Sequence, residues 1–134
     1  MSPAVTEVLI VDDDLARLAF LITRLEYEAD LRVVGYATTA AEGLELARAL
    51  EPDIVLSDFD LPDEEGLAQV AAWRRAVPFA AVVLYTAVWS ERVERSARLN
   101  GADECLDKNL PPSELVAALR SSLLRRRAPL LAQG

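Results

Sequence analysis

Five short apolar runs mark the chain, and helical patterns fill the stretches between them. The runs are Val8-Leu9-Ile10-Val11, Leu31 to Ala37, Ile54-Val55-Leu56, Ala80 to Tyr85 and the weaker Glu104-Cys105-Leu106. The first, third and fourth are continuous and rich in β-branched residues, the pattern of parallel strands buried on both faces. Leu15, Leu18, Ala19, Ile22 and Leu25 recur at helical spacing, as do Leu67, Val70 and Ala71. The same spacing returns in Trp89, Val93 and Ala97, and in Val116, Leu119 and Leu123.

The punctuation agrees. Thr39-Ala40-Ala41-Glu42 reads as a capping box opening the second helix. Asn100-Gly101 supplies a left-handed stop for the fourth helix, and Pro112 suits the first turn of the fifth, with Glu114 near its positive end. Regular alternation of strand and helix predicts an α/β fold, a doubly wound parallel sheet with right-handed crossovers and helices on both faces. Residues 1–125 read as one domain, and 126–134 as a fraying tail or the stub of a linker.

Composition narrows the class. A chain of 134 residues fits one domain, and 52% hydrophobic with 27% charged residues excludes disorder. No apolar run approaches the ~20 residues of a membrane helix. The opening residues lack the basic segment of a secretory signal. Cys105 is the only cysteine, so no intrachain disulfide can form, and a reducing, cytoplasmic address is expected. A net charge of -8 argues against nucleic-acid contact by this chain. The one basic cluster, Arg125-Arg126-Arg127, reads as a solvated helix end.

In an open parallel sheet, ligands bind beyond the carboxyl ends of the strands. The first strand delivers Asp12-Asp13-Asp14 there, and the third delivers Asp58-Phe59-Asp60. The fourth ends with Thr86, and Lys108 follows the fifth within two residues. Crowded carboxylates raise each other's pKa unless a cation joins them. Mg²⁺ typically takes one or two carboxylates plus waters and phosphate oxygens. Lys108 and Thr86 offer a point charge and a hydrogen-bond donor to a phosphoryl group. An aspartate beside the metal can act as a nucleophile and form an acyl phosphate. Taken singly, each feature also fits a polar turn, a strand end or a surface lysine; jointly, they fall on one edge.

From about residue 7 to 125 the chain resembles the response-regulator receiver domain of two-component signalling. Val8-Leu9-Ile10-Val11-Asp12-Asp13 looks like the family's acidic pair after its first strand. Pro52 to Pro62 resembles the strand and loop of the phosphoacceptor, which falls on Asp58. Gly66, Thr86-Ala87 and Gly101-Ala102-Asp103 through Lys108 complete the series in order. The resemblance implies a flavodoxin-like five-stranded sheet, order 2-1-3-4-5, with five helices. It implies Mg²⁺ held by Asp13, Asp58 and the Asp60 carbonyl, with Asp12 acting through water. Lys108 and Thr86 would assist phosphorylation of Asp58, supplied by a sensor histidine kinase or phosphotransfer protein. The Thr86 movement would bias the face of the fourth helix, fifth strand and fifth helix, which allows a phosphorylation-dependent homodimer. Such a receiver resets by slow hydrolysis and turns over no external substrate.

Four departures from the family pattern stand out. Cys105 occupies the position of a Tyr or Phe, so the aromatic partner of the Thr86 switch is missing there. Tyr85 and Trp89 are the candidate substitutes, although Tyr85 also reads as a strand residue packed under a helix. Asn109 stands where many receivers have proline, as in the subgroup resembling nitrate-type regulators, to which Leu31 to Ala37 and Ser113-Glu114-Leu115 are also similar. Asp60 faces the path of the hydrolytic water, and with Val88 is expected to modulate the phosphoryl lifetime. Asp63-Glu64-Glu65 makes its loop unusually acidic, as a solvated turn or a kinase-selecting patch. Trp73 is expected to pack on the third helix and Trp89 to sit on the signalling face. Cys105 itself reads as a small buried apolar residue rather than a redox sensor.

Three other readings compete. A degenerate receiver would serve as a constitutive interaction module. A small phosphatase of the haloacid-dehalogenase type would use Asp58-Phe59-Asp60, although the acidic order is reversed here. A flavodoxin shares the topology, but three aspartates in the first turn would repel a phosphate.

Overall fold

The alternation of strand and helix is realised throughout. The computed structural model describes residues 4–132. Strands β1 (Thr6–Val11), β2 (Leu31–Ala37), β3 (Ile54–Asp58), β4 (Ala81–Thr86) and β5 (Glu104–Asp107) alternate with helices α1 (Leu15–Glu26), α2 (Ala40–Leu50), α3 (Gly66–Ala76), α4 (Glu91–Leu99) and α5 (Pro112–Ala132). All strand pairs are parallel, and the sheet order is β2-β1-β3-β4-β5.

The continuous apolar strands serve two cores, because successive side chains point to opposite faces. Val8, Ile10, Ile54, Leu56, Val83 and Tyr85 meet Leu18, Leu21 and Leu25 of α1 and Val116, Leu119 and Leu123 of α5. Leu9, Val11, Val55, Val82, Leu84 and Cys105 meet α2, α3 and α4 through Ala47, Val70, Trp73 and Ala97. Truncating a central side chain such as Leu56, fully buried, to alanine costs about 3 kcal/mol.

Two helices depart from their expected stripes. In α1, Leu15 and Ala19 are exposed while Leu21 is buried beside Leu18 and Leu25. In α3 the buried stripe is Gln69, Val70 and Trp73, so a polar residue occupies a core position.

The helix ends follow the sequence. Of the capping box, the Thr39 half forms, its hydroxyl accepting the Glu42 backbone N–H at 3.2 Å, while Asp63 takes the Ala40 and Ala41 N–H groups. Gly101 adopts φ +117°, a conformation that favours glycine, directly after α4. Gly66 lies against the Phe59 ring, which would have to shift to admit a Cβ 2.6 Å away.

The last helix continues through part of the stretch expected as a tail from residue 126, running to Ala132 with Pro129 inside it. Residues 133 and 134 lie outside the described residues. The three arginines are partly exposed, as expected, but they lie within the helix rather than at its end, and each has a partner. Arg125 pairs with Glu104, Arg126 donates to the Pro78 carbonyl, and Arg127 pairs with Asp53. These contacts fasten α5 to the amino edge of the sheet.

Candidate phosphoacceptor pocket

The parallel register places the ends of β1, β3, β4 and β5 side by side. Val11 pairs with Ser57, Asp58 with Tyr85 and Thr86 with Asp107, so the next residues of each strand open onto one edge. Carboxylate oxygens of Asp12, Asp13 and Asp58 lie within 4.8 Å of one another. Asp12 and Asp58 are buried, whereas Asp13 is exposed at the rim.

The three consecutive aspartates have different partners. Asp14 caps α1, its carboxylate accepting the Ala16 and Arg17 amide N–H groups at 3.0 and 3.1 Å. Asp12 Oδ1 accepts the Asp14 N–H at 2.8 Å, and its Oδ2 accepts the Tyr85 hydroxyl at 2.5 Å. Asp13 is left to the pocket. Burial pushes the Asp12 carboxyl above its ordinary range and the Asp58 charge adds to this; the Tyr85 hydroxyl and the Asp14 amide act against it. Burial and the neighbouring Asp12 raise the Tyr85 phenol far above its usual value, so it remains a donor.

Across the pocket, Lys108 Nζ donates to Asp58 Oδ2 at 3.0 Å, and the Asp60 N–H donates to Asp58 Oδ1 at 2.8 Å. The Thr86 hydroxyl is buried and donates to Asp60 Oδ2 at 2.9 Å, while accepting the Val88 N–H at 3.2 Å. Val88 itself is exposed. Three carboxylates thus share one close ammonium, with Arg17 at 3.7 Å from Asp12. This donor set of hard oxygens suits a divalent cation such as Mg²⁺.

The departures resolve into specific contacts. Cys105 is buried in the core below α4, and burial pushes its thiol up to about 11, which leaves it protonated and unreactive. Trp89 precedes the α4 N-cap Ser90, is partly exposed, and donates its indole N–H to the Cys105 carbonyl at 2.9 Å. Asp63 accepts the Ala40 and Ala41 N–H groups at the start of α2, and Glu65 caps α3. Two of the three loop acids therefore serve helix N-termini. Every peptide bond among the described residues is trans, including the one after Lys108.

The sequence pattern brings Asp12, Asp13, Asp58, Asp60, Thr86 and Lys108 to one edge, and the structure assembles all six. It missed what Tyr85 does. As a strand residue packed between helices it is core, but its hydroxyl ends in the acidic pocket. The available signal was a phenol at the last inward position before Thr86.

A parallel 2-1-3-4-5 sheet with this acidic edge defines a phosphoryl-accepting regulator rather than a flavin carrier. Residues 8–120 match the model of the response regulator receiver domain, and the chain belongs to that family. It is 29% identical over 115 residues to the nitrate/nitrite response regulator protein NarL of Escherichia coli K12, covering 86% of this chain and 53% of NarL. It is 31% identical over 125 residues to protein-glutamate methylesterase/protein-glutamine glutaminase 1 of Myxococcus xanthus, covering 93% of this chain and 36% of that protein. The chain therefore spans about half or less of these relatives. Among solved structures, the CheY-like receiver domain protein of Methanospirillum hungatei matches with a TM-score of 0.84 at 28% identity, over 94% of this chain and 99% of that one. The chain is thus a phosphoacceptor receiver domain of two-component signalling, and no helix among the described residues is long and apolar enough to cross a membrane.

Proposed function

We propose that Asp58 is the phosphoacceptor, taking its phosphoryl group from a sensor histidine kinase or phosphotransfer protein in the cytoplasm. The observation that carries this reading is the buried Asp58 carboxylate, bonded to Lys108 at 3.0 Å and sharing its space with Asp12 and Asp13. An Asp58 oxygen attacks the phosphorus of the donor phosphohistidine; the new O–P bond forms as the N–P bond breaks, and the imidazole leaves. Asp13, Asp58 and the Asp60 carbonyl would hold Mg²⁺, with Asp12 beside them, and bound Mg²⁺ supplies charge neutralisation to the phosphoryl oxygens. Lys108 then exchanges its bond to Asp58 for one to the phosphoryl group. Water later cleaves the acyl phosphate and resets the domain, without turnover of an external substrate.

Thr86 and Asp60 form the switch contact. The Thr86 hydroxyl leaves Asp60 to reach the phosphoryl group, and its movement is relayed to the α4–β5–α5 face, where Trp89 rather than Cys105 supplies the aromatic link. Asp60→Asn weakens the acceptor for Thr86, so its phosphoryl lifetime differs from the wild type; equal lifetimes would refute a modulating role for Asp60. Exposed Phe20 on α1 lines a cleft of about 110 Å³ that reaches Lys108, and suits docking of an apolar helical partner.

The test is incubation with acetyl phosphate, with and without Mg²⁺, read by intact mass. The wild type gains one phosphoryl group only with Mg²⁺, and Asp58→Asn gains none. An adduct that persists in Asp58→Asn moves the acceptor elsewhere.

A further inference from the structure

Tyr85 meets the pocket on two sides, at Asp12 and at Lys108. Its hydroxyl donates to Asp12 Oδ2 at 2.5 Å, and with the Asp14 N–H on Oδ1 it gives each oxygen of the buried Asp12 carboxylate one donor. Its ring lies under Lys108, whose Nζ is 5.7 Å from the ring centroid. Its backbone carbonyl accepts the N–H of Phe59, the residue after Asp58, at 3.0 Å. It also directly precedes Thr86. Tyr85 is 4% exposed, so this bond is dry and undiluted by solvent.

A carboxylate has about four lone-pair sites. The Asp14 amide and the Tyr85 phenol take one on each oxygen of Asp12, and the remaining two are free to face Asp13 and Asp58. Without the phenol, the Oδ2 side of a buried carboxylate loses its donor, and the side chain is free to turn away from its neighbours. Partners that orient metal-binding groups are commonly worth 10–100-fold in metal affinity.

We propose that Tyr85 is a positioning residue for the cation pocket: its phenol holds Asp12 toward Asp13 and Asp58, and its ring supports Lys108 on the opposite side. This rests on the reading of the pocket as a divalent-cation site. The phenol works through Asp12 and touches neither the cation nor the phosphoryl group.

The test is a Mg²⁺ titration followed by amide NMR shifts, on wild type, Tyr85→Phe, Asp12→Asn and the double variant. Phenylalanine keeps the packing ring, so the unfolding midpoint in EDTA gauges any structural damage. Tyr85→Phe is expected to raise the Kd for Mg²⁺ about tenfold. In the Asp12→Asn background the same change is expected to have no effect, because the hydroxyl acts through the Asp12 carboxylate. A change below twofold in Tyr85→Phe, or an equal change in both backgrounds, overturns the proposal. In the wild type, the phenolic proton of Tyr85 is expected to be protected from exchange and to shift with Mg²⁺; an unprotected, unresponsive proton overturns it too, even if the variants fail to fold. A wild type that shows no saturable Mg²⁺ shift overturns both this proposal and the reading beneath it, whereas a binding wild type with an unchanged Tyr85→Phe overturns the proposal alone.

Discussion

The two edges of the sheet treat their acids in opposite ways. At the amino edge, Asp53 accepts the Glu7 N–H at 2.7 Å and pairs with Arg127. Asp103 accepts the Val82 N–H at 2.8 Å and Arg74 at 2.9 Å, with Arg126 at 3.7 Å from its other oxygen. Each carboxylate there has its own guanidinium. At the carboxyl edge, Asp12, Asp13 and Asp58 share one close ammonium, Lys108, with the Arg17 guanidinium at 3.7 Å from Asp12. Neutralised acids hold the fold together, whereas crowded acids are stable only with a ligand that brings positive charge. The edge with more carboxylates than cations is the one proposed to take the phosphoryl group and its cation.

Removing a partner at the amino edge has the largest expected effect. Arg74 also donates to the carbonyls of Val77, Pro78, Ala80 and Gly101. Arg74→Ala strands Asp103 and several carbonyls, and lowers stability by about 3 kcal/mol in urea unfolding while leaving the acetyl phosphate adduct intact. A cost under about 1 kcal/mol would break the contrast.

Asp63 sharpens it. This acid lies on the functional edge but is committed to the α2 N-terminus. Asp63→Ala costs about 1 kcal/mol of stability and leaves Mg²⁺ affinity unchanged. A large change in that affinity would make Asp63 part of the site. Asp13→Asn has the opposite sign. Relieving repulsion raises stability in EDTA by about 0.5 kcal/mol, and the extra stability conferred by Mg²⁺ falls away. A destabilised Asp13→Asn in EDTA would show that the acids are not in conflict.

The smallest expected effect is the pH dependence. The Asp12 carboxyl is raised in the folded state, first by burial and then by Asp58. Its contribution to stability is therefore complete below the unfolded pKa and is lost as pH rises through the folded one. Mg²⁺ requires the ionised form, so it restores what the rising pH removes. The increase in melting temperature on adding Mg²⁺ is expected to be larger at about pH 7.5 than at about pH 5. An equal increase at both would separate Asp12 from the cation.

Much of this was legible from short-range pattern. Continuous β-branched runs gave the strands, because parallel strands are covered on both faces. The site followed from asking what stood just past each strand. Contacts between distant residues were not legible. Tyr85 meets Asp12 across 73 residues through the registry of three strands, and Asp63 reaches α2 across 23. Periodicity records which positions are buried, not which group they find there. Gln69 shows the opposite case, a core position that the apolar spacing of Leu67, Val70 and Ala71 does not mark. It is polar and yet fully buried on α3, where its amide and the Trp73 indole N–H have no hydrogen-bond partner among the described residues. The basic run at the chain's end read as solvated because its acidic partners, Glu104 and Asp53, lie 21 and 74 residues away.

The claim that matters most is that Asp58, among the crowded acids, carries the phosphoryl group. Borohydride reduces an acyl phosphate to the alcohol, so phosphorylated protein can be reduced, digested and mapped. Homoserine is expected at position 58 alone, formed only when Mg²⁺ was present. Homoserine at position 12, 13 or 60 with residue 58 unmodified would contradict it.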